Sequence, residues 1–238
     1  MKRLNLFSLM TMALLSCSSA VMADGFGINA TRLIYPQGAD SISVSVRNTQ
    51  PVMPYLVQVA LSKSPDSREA APFMVTPPIF RLEPKSVNQI RIAANGESLA
   101  KDRESVFYFH ATAIPASQAP TAKQPNAGVQ AAVQFGVGNI IKMFYRPEGL
   151  PSTSTEAQKG LQFSRVNDGL QVNNPSPYFV SLAGIKFGGQ ALKLDSAAAL
   201  MIAPFGSHTY ATQVRNGTIE WQTINDQGGV DAFKQALP

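Results

Sequence analysis

The sequence predicts an all-β chain folded as two sandwich domains, on three observations. Short runs with period-two alternation recur along the chain. Pro, Gly, Asn or Asp bounds these runs, and no strong amphipathic helix or tandem repeat breaks the series. A stretch of turn-forming and small residues, 148–157 (EGLPSTSTEA), divides the runs into two groups of domain size. The expected organisation is a signal segment at 1–23, a first domain at 24–147 and a second at 148–238.

In order, residues 41–47 (SISVSVR) alternate strictly, with Ile42, Val44 and Val46 on one face and serines on the other. Runs at 55–61, 86–92 and 106–114 are the next strands. Thr76-Pro77-Pro78 cannot sit in a central ladder, so it marks an edge, a switch between sheets or a cis bend. Residues 116–128 (ASQAPTAKQPNAG) form a polar connector longer than an ordinary hairpin loop. It leads into 129–147 (VQAAVQFGVGNIIKMFYRP), which opens as a strand with Val129, Ala131, Val133, Phe135 and Val137 on one parity. That strand ends in a basic and aromatic cluster, Lys142, Tyr145 and Arg146. A row of this kind is either buried in its own domain or held out for a partner. Beyond 147, strands are expected near 161–165, 169–172, 179–187, 207–214 and 218–224.

The first residues read as an export signal. Lys2 and Arg3 precede a mostly apolar stretch, and Val21-Met22-Ala23 offers small residues for cleavage before Asp24. Leu14-Leu15-Ser16-Cys17 is a partial lipobox, the alternative route by which Cys17 would carry a lipid. The apolar stretch is too short to span a bilayer and no later run is long enough, so the processed protein is expected to be soluble. Cys17 is the only cysteine, so cleavage after Ala23 leaves no disulfide and burial alone must hold the fold. The formal charge of +5 includes Lys2 and Arg3 and contains no basic run, which gives nucleic acid binding no support.

Catalysis finds little to work with. His110 and His208 are the only imidazoles and neither has metal-ligand spacing. His110 lies in a strand signal and reads as structural, and His208 reads as a solvated turn residue. There is no GxSxG elbow and no phosphate-binding glycine loop, so neither a cofactor nor a metal is expected. What stays open is an enzyme assembled from Asp, Glu and Ser.

Several stretches, taken in order, resemble the periplasmic pilus chaperones of the chaperone–usher pathway, the PapD-like family. The most specific is 99–115 (LAKDRESVFYFHATAIP), followed by 141–147 (IKMFYRP). Lesser matches are 30–36 (ATRLIYP), 76–78 (TPP), 174–178 (NPSPY) and 223–229 (TINDQGG). The chain departs from the family at His110, where Asn is usual, and at Ala111, where a larger aliphatic is usual.

The resemblance implies two immunoglobulin-like β-sandwiches set at an angle, with a cleft between them. It implies a partner that is an incomplete sandwich, a pilus or fimbrial subunit, whose open groove takes the row Val129, Ala131, Val133, Phe135 and Val137. It assigns Arg32 and Lys142 to anchoring the subunit's C-terminal carboxylate, and Glu104, Arg146 and Asp226 to structural ion pairs between the domains. It also implies delivery to an outer-membrane usher, a periplasmic location and no enzymatic step. An exposed Val/Phe row of this length is an aggregation hazard, so some self-association that caps it is expected when the chaperone is free. The connector length points to the long-loop branch of the family, whereas the absence of a disulfide points away from it. The competing classes are a fibre subunit or adhesin and, less favoured, a sandwich hydrolase.

Overall fold

The computed structural model describes residues 25–67, 69–116 and 135–237. The first group of strands is β1 (Phe26–Ile28), β2 (Arg32–Pro36), β3 (Ile42–Asn48), β4 (Tyr55–Ser62), β5 (Phe73–Thr76), β6 (Ile79–Leu82), β7 (Ser86–Ala94), β8 (Ser105–Pro115) and β9 (Val137–Arg146). They make two facing sheets, ordered β1-β3-β7-β5 and β2-β9-β8-β4-β6. Alternation decides what lies between them. Val44, Val46, Ile90 and Ile92 point in from the first sheet, and Val57, Val59, Phe107, Phe109 and Met143 from the second. Fully burying side chains of this kind contributes about 1.5–3 kcal/mol each. The chain changes sheets between β5 and β6, at the cis peptide Thr76–Pro77.

The second group is α1 (Ser154–Lys159), β10 (Gln162–Val166), β11 (Gly169–Asn173), β12 (Val180–Phe187), β13 (Gln190–Ala191), α2 (Ala197–Leu200), β14 (Met201–Ile202), β15 (Ser207–Ala211), β16 (Gly217–Ile224) and β17 (Val230–Leu237). A sheet ordered β10-β11-β15 faces one ordered β13-β12-β16-β17, with β14 paired to β12. Leu170, Val172, Val180, Leu182, Phe187, Ile219 and Trp221 form a core separate from that of the first sandwich.

The turn-rich stretch 148–157 does not stay irregular to its end. Thr153 caps α1, its hydroxyl accepting from the Glu156 N–H while the Glu156 carboxylate accepts from the Thr153 N–H. Such a cap stabilises a helix start by about 1 kcal/mol. Buried Gln158 then pins the helix to β16, accepting from Trp221 Nε1 through its carbonyl (2.9 Å) and from Thr223 Oγ1 through its side chain (2.6 Å).

Three other expectations change. The strand expected from Val129 begins, among the described residues, at Val137; Val129, Ala131 and Val133 lie outside them, as do the signal segment and most of the connector. β1, β2, β5, β6, β13, β14 and β17 are strands that alternation does not signal, because most are short or largely exposed. His208 lies in β15, edge-on to Tyr210 at 4.7 Å, rather than in a turn.

Candidate functional site

β2 runs parallel to β9 in a register that sets Arg32 opposite Lys142. Alternate residues of these strands divide between two environments. Leu33, Tyr35 and Met143 enter the first core, and Tyr145 joins them against Tyr35 and Phe73. Lys142, Phe144 and Arg146 lie on the opposite face, toward the second sandwich, so Tyr145 does not belong with the cations that flank it in sequence.

Arg32 Nη1 donates to the Ile224 carbonyl across the domains (2.7 Å), and its guanidinium lies 5.6 Å from the Phe144 ring centroid. Its Nε is buried without a hydrogen-bond partner. Burial lowers the Arg32 pKa against the opposing pull of Asp226 and Glu104. Burial also lowers that of Lys142, and the Arg32 charge lowers it further. No ion pair of Lys142 occurs among the described residues. Two adjacent, partly desolvated cations with spare donors suit an anion, above all a carboxylate.

Glu104, Arg146 and Asp226 meet beside them. Glu104 is 3% exposed; its Oε1 accepts from Arg146 Nε (2.7 Å) and its Oε2 from the Phe179 N–H (2.8 Å). Arg146 reaches Asp226 with both terminal nitrogens, at 2.7 and 3.0 Å, and stacks over Tyr178 at 5.2 Å. Ser154 Oγ donates to the same Asp226 carboxylate (2.9 Å), a contact that depends on α1 being where its cap and Gln158 hold it. Burial raises the Glu104 pKa more than Arg146 and the Phe179 N–H lower it. At Asp226 burial pulls upward, but the Arg146 hydrogen bonds and charge, with Ser154, prevail and hold the carboxyl below its usual range.

The two carboxylates therefore have opposite linkage. Asp226 contributes stability that is complete above the ordinary aspartate range and is lost as pH falls through its depressed value. Glu104 binds a proton more readily folded than unfolded, so its own contribution falls as pH rises from the ordinary glutamate range through its raised value. Asp226→Asn should then lower the urea midpoint at neutral pH, with the gap from wild type closing as pH drops below about 4. A gap independent of pH would show that the carboxylate charge is not what stabilises the site.

β9 is a sheet edge along only part of its length. β8 covers one side from Val137 to Tyr145, but β2 covers the other only from Lys142 onward. Between Val137 and Ile141 the second side is unpaired among the described residues. Val137 shares a sheet face with Ala111, Phe109 and Met143, yet it is 46% exposed, and Phe135 just before it is 79% exposed. The apolar parity is thus buried at Met143, partly buried at Ile141 and open at Phe135 and Val137. Ile140, on the cleft-facing side, is also exposed. His110 is held against Ser62 (2.6 Å) on that side, a structural setting.

Two family models match in succession. "Pili and flagellar-assembly chaperone, PapD N-terminal domain" covers residues 25–151, and "Pili assembly chaperone PapD, C-terminal domain" covers 156–235. The chain belongs to the PapD family of pilus-assembly chaperones. It is 39% identical to the probable fimbrial chaperone protein ElfD of Escherichia coli K12 over 92% of this chain and 90% of that one. It is 33% identical to the chaperone protein caf1M of Yersinia pestis, over 87% of this chain and 83% of that one. Among solved structures it resembles a chain of the Salmonella enterica SafA pilin–SafB chaperone complex, with a TM-score of 0.76, 29% identity, and 92% and 99% coverage of the two chains. The E. coli chaperone DraB gives a TM-score of 0.75 at 30% identity, over 90% and 97%. The two-sandwich architecture is that of the PapD family, and the fibre-subunit and hydrolase classes are not favoured.

Residue periodicity did not mark Phe144, Phe179, Tyr178, Ser154 or the Ile224 carbonyl, although all five complete the cleft. For Phe144 a signal existed: it shares its parity with Lys142 and Arg146.

Proposed function

We propose that this PapD-family chaperone works in the periplasm, after removal of its first 23 residues, by capping pilus subunits through donor-strand complementation. The observation that carries the reading is that, among the described residues, the edge of β9 is unpaired and ends at two cations without an ion-pair partner. A strand added along Val137–Ile141 has to stop where β2 begins, opposite Lys142. A chain that stops there by ending, with its carboxylate between Arg32 and Lys142, runs parallel to β9. Each charge-assisted hydrogen bond to that carboxylate contributes about 1.5–3 kcal/mol.

The apolar row supplies the rest. Burying Val133, Phe135 and Val137 in the groove of an incomplete sandwich gives roughly 1.5–3 kcal/mol each. Together they offset the cost of association, at least about 4 kcal/mol. Ala131 adds little, so the groove opposite it would be shallow. Glu104, Arg146 and Asp226 fix the angle that keeps the cleft open to the carboxylate. The proposal includes hand-over to an outer-membrane usher, with no catalysed step, and self-association of free chaperone through the same row, which is exposed at Phe135 and Val137.

The test is affinity capture from the periplasm of the native host under fibre-forming conditions. Wild type should recover a small secreted β-subunit, and the double variant Arg32→Ala, Lys142→Ala should lose it. Equal recovery by both would remove the anchor, and no subunit with either would remove the chaperone reading.

A further inference from the structure

Ala203-Pro204-Phe205-Gly206 is a tight turn closed by the Gly206 N–H on the Ala203 carbonyl (3.0 Å). Its third position is left-handed, with φ of 57°. After a proline, that position ordinarily takes Gly or Asn, and a bulky aromatic there is a steric outlier. Such strain persists where the surroundings over-determine it. Here the Phe205 N–H donates to Ser176 (3.1 Å), while the ring, 49% exposed, enters neither core. What the ring meets belongs to the other sandwich: the Arg103 guanidinium lies 4.9 Å from its centroid.

Arg103 is itself well placed to receive it. The next residue, Glu104, donates its N–H to the Pro177 carbonyl (2.9 Å) and accepts from Phe179, so the chain at Arg103 is docked on the second domain. Asp102 aligns the guanidinium through Nε and Nη2. Arg146 with Asp226, Arg32 with Ile224, and Glu104 with Pro177 and Phe179 already join the sandwiches. A further contact, made by side chains outside that set, limits the rotation those bonds leave. We infer that Phe205 and Arg103 form an additional interdomain brace, with Phe205 a positioning residue that holds the cleft at the opening Arg32 and Lys142 need. The link to Arg32 and Lys142 rests on the carboxylate-anchor reading above.

The experiment uses the processed chain, which has no native cysteine once Cys17 is removed, with one spin label introduced in each sandwich. Electron–electron distance distributions report the domain angle without any ligand. Affinity is read separately with a synthetic peptide copying a captured subunit's C-terminal strand, as free acid and as amide. Phe205→Gly, which relieves the left-handed strain, and Arg103→Gln, which leaves the turn untouched, should both broaden the distribution. Both should weaken the free acid about two- to fivefold, the loss expected for an exposed cation–π pair. Phe205→Tyr should restore both readouts. An unchanged distribution in both variants overturns the brace, and a broadened one with unchanged peptide affinity overturns the positioning role. A broadened distribution in a protein whose wild type binds acid and amide alike upholds the brace and overturns the anchor.

Discussion

Replacing Arg146 with methionine is expected to lower the unfolding free energy by about 3–5 kcal/mol, the cost of leaving a buried charge without its partner. Glu104 is the charge left behind, 3% exposed and keeping only its bond from the Phe179 N–H. Asp226 retains Ser154 and some solvent, so it suffers less. The cost should therefore follow Glu104. Glu104→Gln in the Arg146→Met background should recover part of the loss, because the amide oxygen still accepts from Phe179 while no charge remains buried. Urea unfolding of the single and double variants checks both statements. A single variant within about 0.5 kcal/mol of wild type would put this cluster among ion pairs of little consequence.

Phe135→Ser should reduce subunit capture by about 10- to 150-fold, the loss of roughly 1.5–3 kcal/mol of burial at the interface. The chaperone itself should unfold as before, because Phe135 is 79% exposed and belongs to neither core. Phe135→Leu should keep most of the affinity. Capture assays paired with thermal melts separate the two effects. A lowered melting temperature in Phe135→Ser would mean that the side chain is folded against its own domain in solution.

What the sequence disclosed follows from how each side chain is used. β3, β4, β7, β8 and β16 alternate because one face is buried and the other wet, and period two reports that directly. β17 escapes because both of its faces are largely exposed or polar, with Phe233 its main inward anchor. β5 and β6 escape because each has four residues and a proline pair divides them. The start of α1 was legible as Thr153 three residues before Glu156, a capping box hidden among residues that also favour turns.

The cleft was legible only as separate motifs. Arg32 and Lys142 are far apart in sequence, and their pairing depends on β2 lying parallel to β9, which no local pattern encodes. Phe205 carries no sequence signal at all, since its importance comes from a backbone angle.

The central claim is that Arg32 and Lys142 bind the end of a chain. Isothermal titration with the free acid and the amide of a subunit's C-terminal peptide tests it directly. The acid should bind wild type at least about tenfold more tightly than the amide, the factor that 1.5–3 kcal/mol sets. That preference should disappear in Arg32→Ala, Lys142→Ala. Equal binding of acid and amide by wild type would contradict the account.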